Sequence, residues 1–198
     1  MVPNREKSAA VKKQYPLNLA NILTLLRIAL IPLFIHFLLT GQTGKALTVF
    51  IVASITDVLD GTAARIFGQR TSLGTYLDPA ADKLLMTTSY ILLSIPSISS
   101  PNVIPLWLTI VVIGRDILIA LSALVVTAVS GPRIFRPSVV GKITTVCQVT
   151  VIFCLLASNY FGVSPEALQW LYYITLGLTI FSGMDYALKN VRSIVPSK

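Results

Sequence analysis

With 198 residues, 54% of them hydrophobic and only 12% charged, the chain is too apolar for a soluble globular domain and is expected to form a single membrane domain over 1–198. The net charge of +8 does not point to nucleic acid here, because basic residues at the ends of membrane spans report topology and affinity for anionic lipid.

Residues 1–16 carry Arg5, Lys7, Lys12 and Lys13 among small apolar residues and end at Pro16. This basic juxtamembrane segment reads either as a short helix lying on the membrane surface or as a disordered tail. The first apolar stretch, 17–39, is long enough to cross a bilayer. It lacks an A-x-A-like end, so it is expected to stay as a membrane helix rather than be cleaved. Asn21, Thr24 and Arg27 recur on it at helical spacing, a polar stripe that should face the interior of a bundle. His36, the only histidine, reads as an interfacial or satisfied residue rather than a ligand.

A short Gly-containing turn, 40–45, leads to a second span at 46–67, and a link at 68–72 leads to a third at 74–95. Pro79 is expected in the first turn of the third span, where its missing N–H costs little. After a Ser/Pro loop comes span four, 103–130, with Gly114-Arg115-Asp116 in its interior. That pair reads either as a self-neutralised ion pair or as Arg115 facing a polar cavity. The loop with Arg133 and Arg136 runs into Lys142 at the start of span five, 140–157. Arg133 and Arg136 suit an anion pocket or positive-inside anchoring equally. Lys142, with Ser138 and Thr145 one turn to either side, favours the pocket. Cys147 and Cys154 lie seven apart on one helix, too far to pair, and read as small apolar residues. Span six, 166–188, precedes a basic tail.

The expected fold is therefore all-α, an integral bundle of six transmembrane helices. Thirteen Lys and Arg fall on one side of these spans and one, Lys45, on the other. That asymmetry predicts both termini and the 2–3 hairpin in the cytoplasm, in a bacterial inner membrane or its equivalent.

The hairpin holds the chemistry. Four of the eight acidic residues, Asp57, Asp60, Asp78 and Asp82, fall within 26 positions flanked by apolar runs. Ionised groups at membrane depth are expensive and mark function by default. Asp57 and Asp60 are i, i+3, and Asp78 and Asp82 are i, i+4, so each pair shares a helix face. Two such faces opposed would gather hard oxygen donors suited to Mg²⁺ or Mn²⁺ with a substrate phosphate. Gly61 and Ala64 are small enough for a nucleotide to lie against the backbone, and Arg65 offers a donor fork to phosphate.

The pattern D-x2-D-G-x2-A-R-x8-G-x3-D-x3-D is matched at all eight fixed positions, by Asp57, Asp60, Gly61, Ala64, Arg65, Gly74, Asp78 and Asp82. It resembles the signature of the CDP-alcohol phosphatidyltransferases. The earlier run Asn21-Ile-Leu-Thr24-Leu-Leu-Arg27 is similar to the opening of that family's first span, with Ala20 where a Pro is usual. The resemblance implies an enzyme that displaces CMP from CDP-diacylglycerol and passes the phosphatidyl group to an alcohol. It implies two divalent ions held by Asp57, Asp60 and Asp78 with Asp82 bridging or nearby, and Asp82 as general base. It places the nucleotide on Gly61, Ala64, Arg65, Asn21, Thr24 and Gly74, and suggests a homodimer.

Arg115, Lys142, Arg133 and Arg136 favour an acceptor that carries a phosphate and argue against choline or ethanolamine. Two acceptors fit. Glycerol 3-phosphate, as in a phosphatidylglycerophosphate synthase, is written first. Phosphatidylglycerol, as in a cardiolipin synthase, is the alternative, and the run from Gly114 to Leu124 leans toward it. A rival of another class, a carboxylate-based cation transporter, predicts metal flux without nucleotide dependence.

Overall fold

The computed structural model describes residues 19–66, 72–130, 138–163 and 166–194, apart from the side chains of 19–21, 58–66, 72–78, 123, 126, 129, 130, 167 and 188–194. Among the described residues there are six helices and no strand. They are α1 (Leu19–Leu39), α2 (Thr43–Ile66), α3 (Ser72–Leu93), α4 (Leu106–Ser130), α5 (Val139–Phe161) and α6 (Glu166–Ile194). All six expected spans are present as helices, with ends shifted by a few residues. Among the described residues two of them, at Ile22–Leu39 and Val139–Phe161, are long and apolar enough to cross a membrane.

One local expectation fails. Pro79 lies inside α3, seven positions past its start, and not in the first turn. The helix begins as early as Ser72, and the proline takes one bond out of its ladder.

The turn between α1 and α2 is tighter than expected, because α2 already begins at Thr43. Gly41 sits at φ +69°, the left-handed conformation that closes a helix without a Cβ clash. The Gln42 N–H then reaches back to the Phe37 carbonyl at 2.8 Å, and the Gly41 N–H to that of Leu38 at 3.1 Å.

Helix α1 packs on α2 and α3, α5 packs on α2, α3 and α6, and α4 packs on α6 and α3. Phe34, Phe50, Tyr90, Leu93, Leu108, Ile152 and Leu155 fill the space between them. Polar side chains are buried with them: Thr24, Arg27, Ser89, Thr144, Gln148, Thr175, Thr179 and Ser182. Meanwhile Leu118, Leu124, Val139, Val146, Phe161 and Trp170 are 64–74% exposed. Large apolar groups thus lie on the outside as well as in the core, while several hydroxyls and a guanidinium are buried, a distribution that suits a bundle surrounded by lipid.

Candidate active site

The polar stripe of α1 is set by helical spacing, and it turns inward. Thr24 is 1% exposed and Arg27 is fully buried. The Arg27 Nη2 meets Asp57 Oδ1 on α2 at 2.9 Å. A buried guanidinium needs a carboxylate partner, and the first aspartate of the acidic motif supplies it. The side chain of Asn21, the third member of the stripe, lies outside the described residues.

Asp57 on α2 and Asp82 on α3 line one cavity of about 260 Å³, together with Arg27, Ser54, Thr145 and Thr150. Phe50, Leu85, Met86 and Val149 form its apolar walls. One aspartate from each half of the acidic motif, Asp57 and Asp82, therefore lines a common cavity. Helix α1 lies against both α2 and α3, and the two carboxylates share a space between the helices. The side chains of Asp60, Gly61, Ala64, Arg65, Gly74 and Asp78 lie outside the described residues.

A second cavity of about 260 Å³ lies beside the first and shares Thr145 with it. Its lining is cationic: Lys83, Arg115 and Lys142, with Ser138, Gly141, Ile119 and Tyr186. Consecutive residues on a helix project about 100° apart. Asp82 thus lines the acidic cavity while Lys83 lines the basic one. Arg115 is both things the sequence allowed, paired with its neighbour and lining a cavity. Its Nη1 donates to Asp116 Oδ1 at 2.8 Å and its Nη2 to Ser182 Oγ at 2.7 Å. Lys83 Nζ donates to the other Asp116 oxygen at 2.6 Å.

The first turn of α5 also lines this second cavity, through Ser138, Gly141 and Lys142. Ser138 caps α5, its hydroxyl accepting from the Gly141 N–H at 3.0 Å. The positive end of the α5 dipole thus adds to the cations. Gly141 allows a close approach: a Cβ there would lie 3.3 Å from both Arg115 Nη2 and Ser138 Oγ. Arg133 and Arg136 fall outside the described residues.

Sequence reasoning missed Lys83 and Ser182 beside this cavity, whereas Thr145 had entered it as a polar neighbour of Lys142. Ser182 had a signal. Thr175, Thr179 and Ser182 recur at helical spacing on α6, and all three are buried.

The donor chemistry fits a hard divalent ion. Asp57 and Asp82 bring carboxylate oxygens to one cavity, although no group of three or more metal-binding side chains occurs among the described residues.

Residues 17–181 match the family model described as CDP-alcohol phosphatidyltransferase. The chain is 32% identical to the CDP-diacylglycerol–glycerol-3-phosphate 3-phosphatidyltransferase of Bacillus subtilis, covering 91% of this chain and 98% of that one. It is 32% identical to a probable phosphatidylglycerophosphate synthase of Mycobacterium tuberculosis, covering 89% and 83%. It is 30% identical to the CMP-forming cardiolipin synthase of Rattus norvegicus, covering 90% of this chain and 63% of that one. The chain belongs to the CDP-alcohol phosphatidyltransferase family and is an enzyme of phosphatidyl transfer in phospholipid synthesis.

Proposed function

We propose that the enzyme transfers the phosphatidyl group of CDP-diacylglycerol to glycerol 3-phosphate and releases CMP, working from the cytoplasmic face of a six-span membrane bundle. One observation carries this reading. A carboxylate-lined cavity and a cation-lined cavity of similar size meet at Thr145. Such a pair suits an acceptor whose hydroxyl must reach a base while its phosphate is held a short distance away.

In this reading the acceptor's phosphate lies against Lys142 and Arg115, with Arg133 and Arg136 available from the loop. Arginine and lysine give phosphate charge-assisted hydrogen bonds, and the start of α5 adds its dipole. The acceptor hydroxyl then sits at Asp82, which takes its proton as the oxygen attacks the phosphatidyl phosphorus. The bond from that phosphorus to the bridging oxygen breaks, and CMP leaves with the electron pair. Asp57, Asp60, Asp78 and Asp82 would hold the Mg²⁺ or Mn²⁺ ions, two per site. Held there, such ions would supply Lewis-acid stabilisation of charge on the diphosphate. Arg27 orients Asp57 from behind. Gly61, Ala64, Arg65, Asn21, Thr24 and Gly74 form the nucleotide-binding face. The outward apolar side chains contact lipid, and a homodimer within the membrane completes the expected assembly.

The alternative acceptor is phosphatidylglycerol. The similarity to a CMP-forming cardiolipin synthase over 90% of this chain favours keeping it. The deciding experiment offers purified protein CDP-diacylglycerol and Mg²⁺ with glycerol 3-phosphate, phosphatidylglycerol, serine or an inositol phosphate in parallel. CMP release with glycerol 3-phosphate is the expected result. Release only with phosphatidylglycerol selects the alternative, and release only with serine overturns the phosphate-acceptor reading.

A further inference from the structure

The cation-lined cavity contains an arrangement that its lining alone does not explain. Lys83 comes from α3, Arg115 from α4 and Lys142 from α5, and three positive side chains converging on about 260 Å³ repel one another. Asp116 is not among the lining residues, yet both of its oxygens are committed to two of those cations. Oδ2 accepts from Lys83 Nζ at 2.6 Å and Oδ1 from Arg115 Nη1 at 2.8 Å. Ser182 on α6 holds the other arm of the same guanidinium at 2.7 Å.

We infer that Asp116 is a positioning residue that sets the enzyme's affinity for its phosphate-bearing acceptor, by holding Lys83 and Arg115 against the cavity wall. Three physical points support this. First, the Lys83 side chain is 44% exposed, so on its own it would sample many rotamers. A carboxylate tether removes that freedom before substrate arrives. Second, Arg115 and Asp116 are only 11% and 15% exposed, so their charges are poorly screened and their geometry is firmly held. Third, Asp116 offsets one of the three positive charges, leaving the three cations and their carboxylate at +2, which matches a phosphate monoester dianion. The tether also makes Lys83 part of the acceptor site. Its neighbour Asp82 faces the acidic cavity, so one turn of α3 serves both ends of the acceptor.

This rests on the proposed acceptor reading, and the test separates the two. In detergent micelles, CMP release is measured with CDP-diacylglycerol and either glycerol 3-phosphate or phosphatidylglycerol, for wild type, Asp116→Asn, Asp116→Glu and Lys83→Met. Inorganic phosphate is added as a competing probe. Losing a charge-assisted contact should raise the acceptor KM of Asp116→Asn about tenfold. The KM for CDP-diacylglycerol should stay within about twofold, and the inhibition constant for phosphate should rise in step with the acceptor KM. Asp116→Glu should recover part of the loss, and Lys83→Met should show the same selective pattern.

Acceptor and donor KM rising together, with Asp116→Glu as impaired as Asp116→Asn, would overturn the inference and leave Asp116 a structural residue. Unchanged acceptor KM in Asp116→Asn and Lys83→Met would overturn it equally. If Asp116→Asn does not fold, Asp116→Glu decides, through the same KM split. Absence of CMP release from wild type with either acceptor is a different result, since it removes the acceptor reading itself.

Discussion

At one end of the bundle the buried polar groups are neutral and satisfy each other. Asn102 Nδ2 donates to Ser158 Oγ at 2.9 Å, Asn159 Nδ2 to Ser99 Oγ at 3.0 Å, and the Asn102 N–H to Asn159 Oδ1 at 2.8 Å. Ser158 in turn donates to the Val163 carbonyl at 2.7 Å. These bonds tie the segment between α3 and α4 to the end of α5. At the other end the polar groups are charged and open onto cavities: Arg27 with Asp57, and Lys83 with Asp116 and Arg115. The closed amide network spends its hydrogen-bonding capacity on the fold. The charged end leaves capacity for a ligand. The neutral network joins a connecting segment to a helix end, whereas the charged groups project from within helices.

Substitutions should separate the two ends cleanly. The largest effect is expected at Asp82. Asp82→Asn should lower turnover about 10²-fold or more while CDP-diacylglycerol still binds, measured by CMP release and by nucleotide-lipid titration. Undiminished turnover would remove Asp82 as the base. Asp57→Ala should move the Mg²⁺ dependence of the rate to roughly tenfold higher concentration, and an unaltered Mg²⁺ titration would show that Asp57 is no ligand. Lys142→Ala should raise the acceptor KM up to about tenfold and the donor KM less, and the opposite ranking would move Lys142 out of the acceptor site.

The smallest kinetic effect is expected from the neutral end. Asn159→Ala should leave every KM unchanged while costing about 1–3 kcal/mol of stability, because it strands the buried partners, Ser99 and Asn102, of a half-buried amide. Thermal unfolding in detergent checks the stability, and a selective rise in acceptor KM there would blur the division of labour between the ends.

Much of this layout was legible in the chain. The apolar runs marked the helices, since each is long and bounded by Gly, Pro or charge. Thr24 and Arg27 were readable as inward-facing because a cation on an apolar helix has nowhere else to go. The convergence of Asp57 with Asp82 followed from helical spacing and the short link between their helices. What could not be read depends on helix rotation and depth. Lys83 and Asp116 are 33 positions apart, and nothing local tells a lysine on α3 that its partner is on α4. Thr145 acquires its place between two cavities only once α5 is packed against α3. Pro79 misled because proline favours a first turn, whereas this helix continues upstream of it.

Gly141 carries a consequence for anyone seeking a hardier form of this enzyme. Alanine suits a helix better than glycine by up to about 1 kcal/mol, so replacing it would look attractive on propensity alone. The added methyl would stand 3.3 Å from the Arg115 guanidinium and the capping hydroxyl alike. The arginine and the capping hydroxyl would each have to give by a few tenths of an ångström. Any gain in helix propensity along α5 is therefore set against the fit of Arg115 beside Ser138.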